Sequence, residues 1–175
     1  MAKFMGVIEV VDECLTPEKY TYVRYTGKNP WDVAEKITEK IRPFFHVSAS
    51  GTNNWRLNWD VTGDVRTFYS LWWAKRKLSR FTNMKVDFKV QGEQHKDTKV
   101  GKFSLQLSGT ITTVFEGWTP VVRPLFYLYS YLFYKKVRRD YIKRCQSSIY
   151  NFKNEIKRDF GLEETDVPTT KAVFG

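Results

Sequence analysis

"MKVDFKVQGEQHKDTKVGKFSLQLSGTITTVFE", Met84 to Glu116, decides the fold. Its first seven residues alternate without error. Met84, Val86, Phe88 and Val90 take one side, and Lys85, Asp87 and Lys89 the other. After the polar stretch Gly92–Gly101 the alternation resumes. Phe103, Leu105, Leu107, Ile111 and Phe115 stand against Ser104, Gln106, Ser108, Thr110 and Thr112. A period of two places each set on one face of a pleated strand. The segment therefore predicts a long antiparallel hairpin with one dry face and one wet face, joined by a polar loop over Gly92–Gly101. Gly109 falls mid-strand on the dry side, where a bend or bulge is expected.

A dry sheet face needs a cover, and the next segment supplies one. "VVRPLFYLYSYLFYKKVRRDYIKR", Val121 to Arg144, runs from rings and aliphatics into a basic cluster. From Pro124 to Phe160 there is no glycine and no further proline. Phe126, Tyr129, Phe133, Val137, Tyr141, Cys145, Ile149, Phe152, Ile156 and Phe160 recur every three or four residues, the spacing of a helical stripe. A helix of that length spans on the order of 50 Å. A membrane span needs ~20 uninterrupted apolar residues. Arg123 with Pro124 and Lys135 with Lys136 cut this run at both ends, so no transmembrane span is expected. The apolar half of the helix is instead expected against a sheet that curves round it.

The rest of the chain follows the same rules. Lys3–Val11 and Tyr20–Thr26 read as two strands with "TPEK" as the turn between them. "GKNPWDVAEKITEKIRP" reads as a helix with Asn29 as cap, Pro30 at its first position and Pro43 as its stop after Arg42. Trp31, Ala34, Ile37 and Ile41 form its inner stripe. "FFHVSAS" reads as a strand, and in "WRLNWDV" Trp55, Leu57, Trp59 and Val61 share a face. Val65–Phe81 suits either a strand or a helix by period, and its β-branched and aromatic content favours a strand.

The expectation is one α+β domain over 1–162: a curved antiparallel sheet of about six strands on a long C-terminal helix. The polar segment 163–175 follows as a flexible tail, mobile or loosely docked. The order of strands, helix, strands and final helix resembles a helix-grip arrangement of the START and Bet v 1 kind. The resemblance is one of topology over residues 3–160, and folds of one topology host many functions.

Composition narrows function from the other side. Aromatics reach 17% of the 175 residues and the net charge is +10, which favours anionic partners. Cys14 and Cys145 lie far apart, outside any paired spacing, which suggests buried free thiols, a reducing compartment and a cytoplasmic protein. His46 and His95 have no ligand partner at zinc spacing, and neither a nucleophile elbow nor a phosphate loop occurs. No catalytic motif, metal or cofactor is expected.

Two functions from different classes remain. One is a non-enzymatic binder of a hydrophobic or amphipathic small molecule, such as a lipid, between sheet and final helix. Trp59, Trp73, Phe88, Leu107, Ile111, Phe126, Tyr129 and Phe133 are its candidate lining. The other is a basic surface for nucleic acid or an acidic membrane face. It would use Lys135, Lys136, Arg138, Arg139, Lys143 and Arg144 on the helix, with Lys75, Arg76 and Lys77. A solvated helix face is the simpler explanation of such a charge run, and the composition also allows a homo-oligomer held through aromatic patches. Trp72 and Trp73 are adjacent, so in a strand they point to opposite faces. Either something covers the second face or one of them meets a partner.

Overall fold

The computed structural model describes residues 6–118, 124, 128 and 130–167. It contains an antiparallel sheet of β1 (Gly6–Glu13), β2 (Thr21–Lys28), β3 (Thr52–Asp60), β4 (Val65–Lys77), β5 (Thr82–His95) and β6 (Val100–Trp118). Helix α1 (Asp32–Phe45) lies between β2 and β3. A single π turn, Ser130–Tyr134, leads into α2 (Lys135–Asp159). The strand order is β1-β6-β5-β4-β3, with β2 also on β6. The ambiguous segment is a strand: Val65–Lys77 pairs with β5 along its whole length.

The deciding hairpin forms in the expected register, with Phe88 opposite Leu107 and Val90 opposite Leu105. All four of these side chains are fully buried, as are Val86 and Ile111. The connection is tighter than the polar composition suggests. β5 continues to His95 and β6 begins at Val100, with Lys99 in the left-handed region at φ 57°.

β1 and β2 do not form a hairpin across "TPEK". β1 pairs with Thr110–Trp118 and β2 with Val100–Leu107, both antiparallel to β6. They run in one direction as two halves of a single edge strand, and Cys14–Tyr20 loops out between them. The loop leaves the sheet where the Cys14 N–H donates to the Gly109 carbonyl at 2.9 Å.

Helix α1 buries Val33, Ala34, Ile37 and Ile41, as its stripe predicts. It does not stop at Arg42. Pro43 lies inside the last turn, and Phe44 and Phe45 are helical rather than part of a strand. Their rings pack on Phe152 with centroids 5.1 and 5.3 Å away. That packing outweighs the one hydrogen bond the proline removes. The helix ends at His46, left-handed at φ 51°, and "ASG" is a 3-10 turn, not a strand. Asn29 does not cap the helix through its side chain; the N-cap position is Trp31. β3 carries a bulge between Asn54 and Arg56. It is a sheet edge, so Leu57 and Val61 are exposed although they alternate with half-buried Trp59.

Helix α2 covers the sheet with its C-terminal half. Cys145, Ile149, Phe152 and Ile156 are buried, and Phe45, Phe88 and Phe152 meet with centroids 5.1–5.6 Å apart. Three polar links fix the helix at its margins. Lys40 of α1 pairs with Glu155 and Asp159 at 3.1 and 2.6 Å. Lys153 donates to Thr21 Oγ1 at 2.7 Å, and burial, with Lys157 nearby, holds its pKa below the ordinary lysine value. Arg138 grips Asp12 of β1 with two N–H donors. Past the helix, the Thr165 N–H donates to Asn154 Oδ1 at 2.9 Å, and Asn154 Nδ2 donates back to the Thr165 carbonyl at 2.8 Å. Among the described residues no helix is long and apolar enough to cross a membrane.

The two cysteines are not free thiols. Cys14 and Cys145 form a buried disulfide, Cα atoms 5.8 Å apart, that joins the loop between β1 and β2 to α2. The two lie 131 residues apart in the chain, and the packing of α2 on the sheet beside Gly109 brings them together. The inference of a reducing compartment from unpaired thiols loses its ground.

Candidate anion-binding cleft

In α2 the residues Lys135, Arg138, Arg139, Ile142, Lys143 and Gln146 recur at intervals of three, four and seven, so they share one helix face. That face looks across at the end of β1 and the loop after it. Together they enclose a cleft of about 340 Å³, whose other wall is Asp12, Glu13, Cys14 and Thr16. Ile142 and Cys14 supply apolar surface, and the charged groups stand round it. The π turn and the Arg138–Asp12 pair set the helix's approach, and Gly109 lets it lie close. A Cβ built on Gly109 would stand 2.5 Å from Ile149 Cδ1 and 3.0 Å from Cys145 Sγ.

Four cations face two carboxylates in this lining, leaving an excess of two positive charges. Asp12 is occupied by Arg138, and the hydrogen bonds that the guanidinium donates to that carboxylate raise its pKa above the usual value. Glu13 also faces Lys19 at 3.7 Å. The Lys135 ammonium lies 5.8 Å from the Tyr131 ring centroid. A larger open groove of about 950 Å³ runs beside β2. Glu18 and Glu163 there face Lys19, Arg24 and Lys157, so its charge excess is smaller although its volume is greater.

The basic residues singled out in the sequence thus divide. Lys135, Arg138, Arg139 and Lys143 line the cleft, while Lys136 and Arg144 are exposed on the same helix outside it. Lys75, Arg76 and Lys77 are exposed at the end of β4. The register chain Lys75–Lys85–Thr110–Glu13 puts them level with the cleft but three strands away, about 14 Å across the sheet.

The apolar candidates do not gather into one lining. Phe88, Leu107 and Ile111 lie in the packed core, where the rings of Phe45 and Phe152 occupy the space between sheet and helix. Trp59 is half-buried at the β3 edge, edge-on to Trp31 at 4.0 Å. Trp72 is buried, whereas Trp73 is half-buried on the opposite, outer face. Phe126 and Tyr129 lie outside the described residues, as does the side chain of Phe133.

The start of the final helical segment departs most from expectation. Where the sheet was expected to cover an apolar half-helix, Leu128, Tyr131 and Leu132 are 55%, 71% and 57% exposed. Val137, on the predicted inner stripe, is exposed as well. Tyr134, by contrast, is held by the sheet. Its ring packs on Phe115 at 5.6 Å, and its hydroxyl bonds Thr82 Oγ1.

Sequence reasoning missed Asp12, Thr16 and the cysteine pair. Asp12, Cys14 and Thr16 belong to the edge-strand break, with Cys145 facing it from α2, and only the mid-strand glycine opposite the break left a trace in the sequence. Among the described residues no cluster of three metal-ligating side chains occurs.

The fold and cleft together define an α+β protein with a basic helix face beside an open sheet edge. No family model matches the chain, and no curated protein matches it. Among solved structures, an uncharacterised protein from Rhizobium leguminosarum is similar at 7% identity and a TM-score of 0.21, over 67% of this chain and 88% of that one.

Proposed function

We propose that the protein docks on an acidic membrane surface through the π turn and the N-terminal half of α2. The observation that carries this reading is the continuity of exposed Leu128, Tyr131 and Leu132 with Lys135, Lys136, Arg139, Lys143 and Arg144. Cations near an acidic bilayer are worth about 1 kcal/mol each. Five of them give only submillimolar binding, a Kd of roughly 0.2 mM. Apolar side chains sinking into the headgroup boundary supply the second signal that stable docking needs. A nucleic-acid backbone rewards the cations but leaves the two leucines in water. The buried disulfide fits an oxidising setting better than the reducing one expected from cysteine spacing.

Flotation with vesicles tests this directly. The protein is expected to float with vesicles containing phosphatidylserine, to ignore pure phosphatidylcholine, and to be released as salt rises. The double substitution Leu128→Ser with Leu132→Ser is expected to abolish flotation without lowering Tm. Failure to float at low salt would sink the proposal. Tight binding of single-stranded DNA in its place would move the function to nucleic acid.

A further inference from the structure

We infer that the cleft between the β1–β2 loop and α2 holds a phosphomonoester, and that on the membrane this is the headgroup of a lipid. The inference rests on the docking proposed above and names the ligand of that surface.

Charge comes first. The lining carries two positive charges in excess, and a phosphomonoester near neutral pH carries about −1.5 to −2. A carboxylate or a phosphodiester, with a single negative charge, leaves the cleft half neutralised. Asp12 does not oppose the ligand, because the Arg138 fork already occupies its carboxylate. Lys143 has no carboxylate within ion-pair range among the described residues.

Donor geometry comes next. Lys135 and Lys143 lie two turns apart on one helix face of the cleft, across from Thr16, whose own hydroxyl donates to the Glu13 carbonyl at 3.0 Å. The three terminal oxygens of a monoester accept hydrogen bonds in several directions at once. A cleft of about 340 Å³ accommodates such a group with its glycerol carbon atoms against Ile142.

Position completes the case. The cleft begins at Lys135, immediately after the π turn, and Lys135 sits over the ring of exposed Tyr131. A headgroup held there is attached to acyl chains at the level where Leu128 and Leu132 would enter the bilayer.

The test separates this site from simple charge attraction. Wild-type protein and the variants Thr16→Trp and Lys143→Gln are floated with phosphatidic acid vesicles and with phosphatidylserine vesicles matched in surface potential. Calorimetry with soluble glycerol 3-phosphate forms a second arm, and thermal melts confirm that each variant is folded. Wild type is expected to prefer phosphatidic acid by roughly tenfold, the discrimination of one charge-assisted hydrogen bond. Thr16→Trp fills the cleft without changing charge, so it should lose the preference and keep its binding to phosphatidylserine. Lys143→Gln should weaken phosphatidic acid more than phosphatidylserine. Equal binding of both lipids by wild type, or a preference that survives Thr16→Trp, overturns the inference while leaving membrane docking intact. Saturable glycerol 3-phosphate binding without flotation, lost in Thr16→Trp, supports the cleft as a site for a free phosphate ester and sinks docking. No binding in either arm sinks both.

Discussion

Gly109 faces the core from the middle of β6, and β5 pairs past it without a register shift. The sequence signals that something special happens there, and the unbroken register shows that it is not a bulge against β5. The residue is glycine because the helix and the disulfide come within contact distance of its Cα hydrogen. Alanine at a strand glycine ordinarily gains about 0.5–1 kcal/mol. Here its methyl would meet Ile149 at 2.5 Å and both cysteine sulfurs at 3.0–3.2 Å. Overpacking of that kind costs about 1–3 kcal/mol, so the clash wins. Gly109→Ala is expected to lower the urea midpoint with an unchanged slope. A variant more stable than wild type would mean that α2 does not lie this close to β6. Single side chains were legible from the sequence where alternation governed them, as at Val86, Phe88 and Leu105. Where a residue answers to a partner distant in the chain, as Asp12 does to Arg138, nothing local announces it.

Among the elements, α2 carries two different surfaces on one continuous pattern. The apolar spacing from Phe126 to Phe160 correctly marks Cys145, Ile149, Phe152 and Ile156 as the buried stripe. The stripe residues Phe126 and Tyr129 and the side chain of Phe133 lie outside the described residues. The stripe fails at exposed Val137, and the apolar residues Leu128, Tyr131 and Leu132 are exposed, because hydrophobicity states only that a surface avoids water, not that this chain covers it. Pro43 is a second failure of local rules, overridden by the rings of Phe44 and Phe45 on Phe152. The two parts of the final helical segment should respond differently to truncation. Phe152→Ala removes a fully buried ring that touches Phe44, Phe45 and Phe88, and its expected cost is about 3–5 kcal/mol. Leu132→Ala trims an exposed side chain, so the change should stay within about 0.5 kcal/mol. Chemical denaturation of both variants gives the comparison. Similar losses would show that Leu132 is covered in solution, by a second copy or another segment, and would remove the exposed turn on which docking depends.

On the scale of the whole molecule, the disulfide between Cys14 and Cys145 closes β2 to β6, α1 and the start of α2 into one loop. It ties the first strand's break to the last helix, across 131 residues of sequence. Cross-links that close loops this long stabilise chiefly by restricting the unfolded chain, by about 2–5 kcal/mol in typical domains. The folded state has little need of it for shape. The rings between sheet and helices, the Lys40 pairs and the Arg138–Asp12 fork hold α2 in place on their own. Replacing both cysteines by alanine should therefore leave the circular dichroism spectrum intact and lower stability by that amount, with part of the loss arising from the small cavity left behind. Reductant should produce a comparable loss in wild type only slowly, because both sulfurs are buried and are reached only when the helix opens. Since Thr16 and Cys14 line the cleft, the double alanine variant should also keep its charge-driven vesicle binding but lose part of its preference for phosphatidic acid, as the loop facing Lys143 is no longer pinned. Urea titration, thiol alkylation of the native protein and flotation measure these three effects. Two freely alkylated thiols in protein purified without reductant would overturn the cross-link, and with it the rigid wall of the cleft.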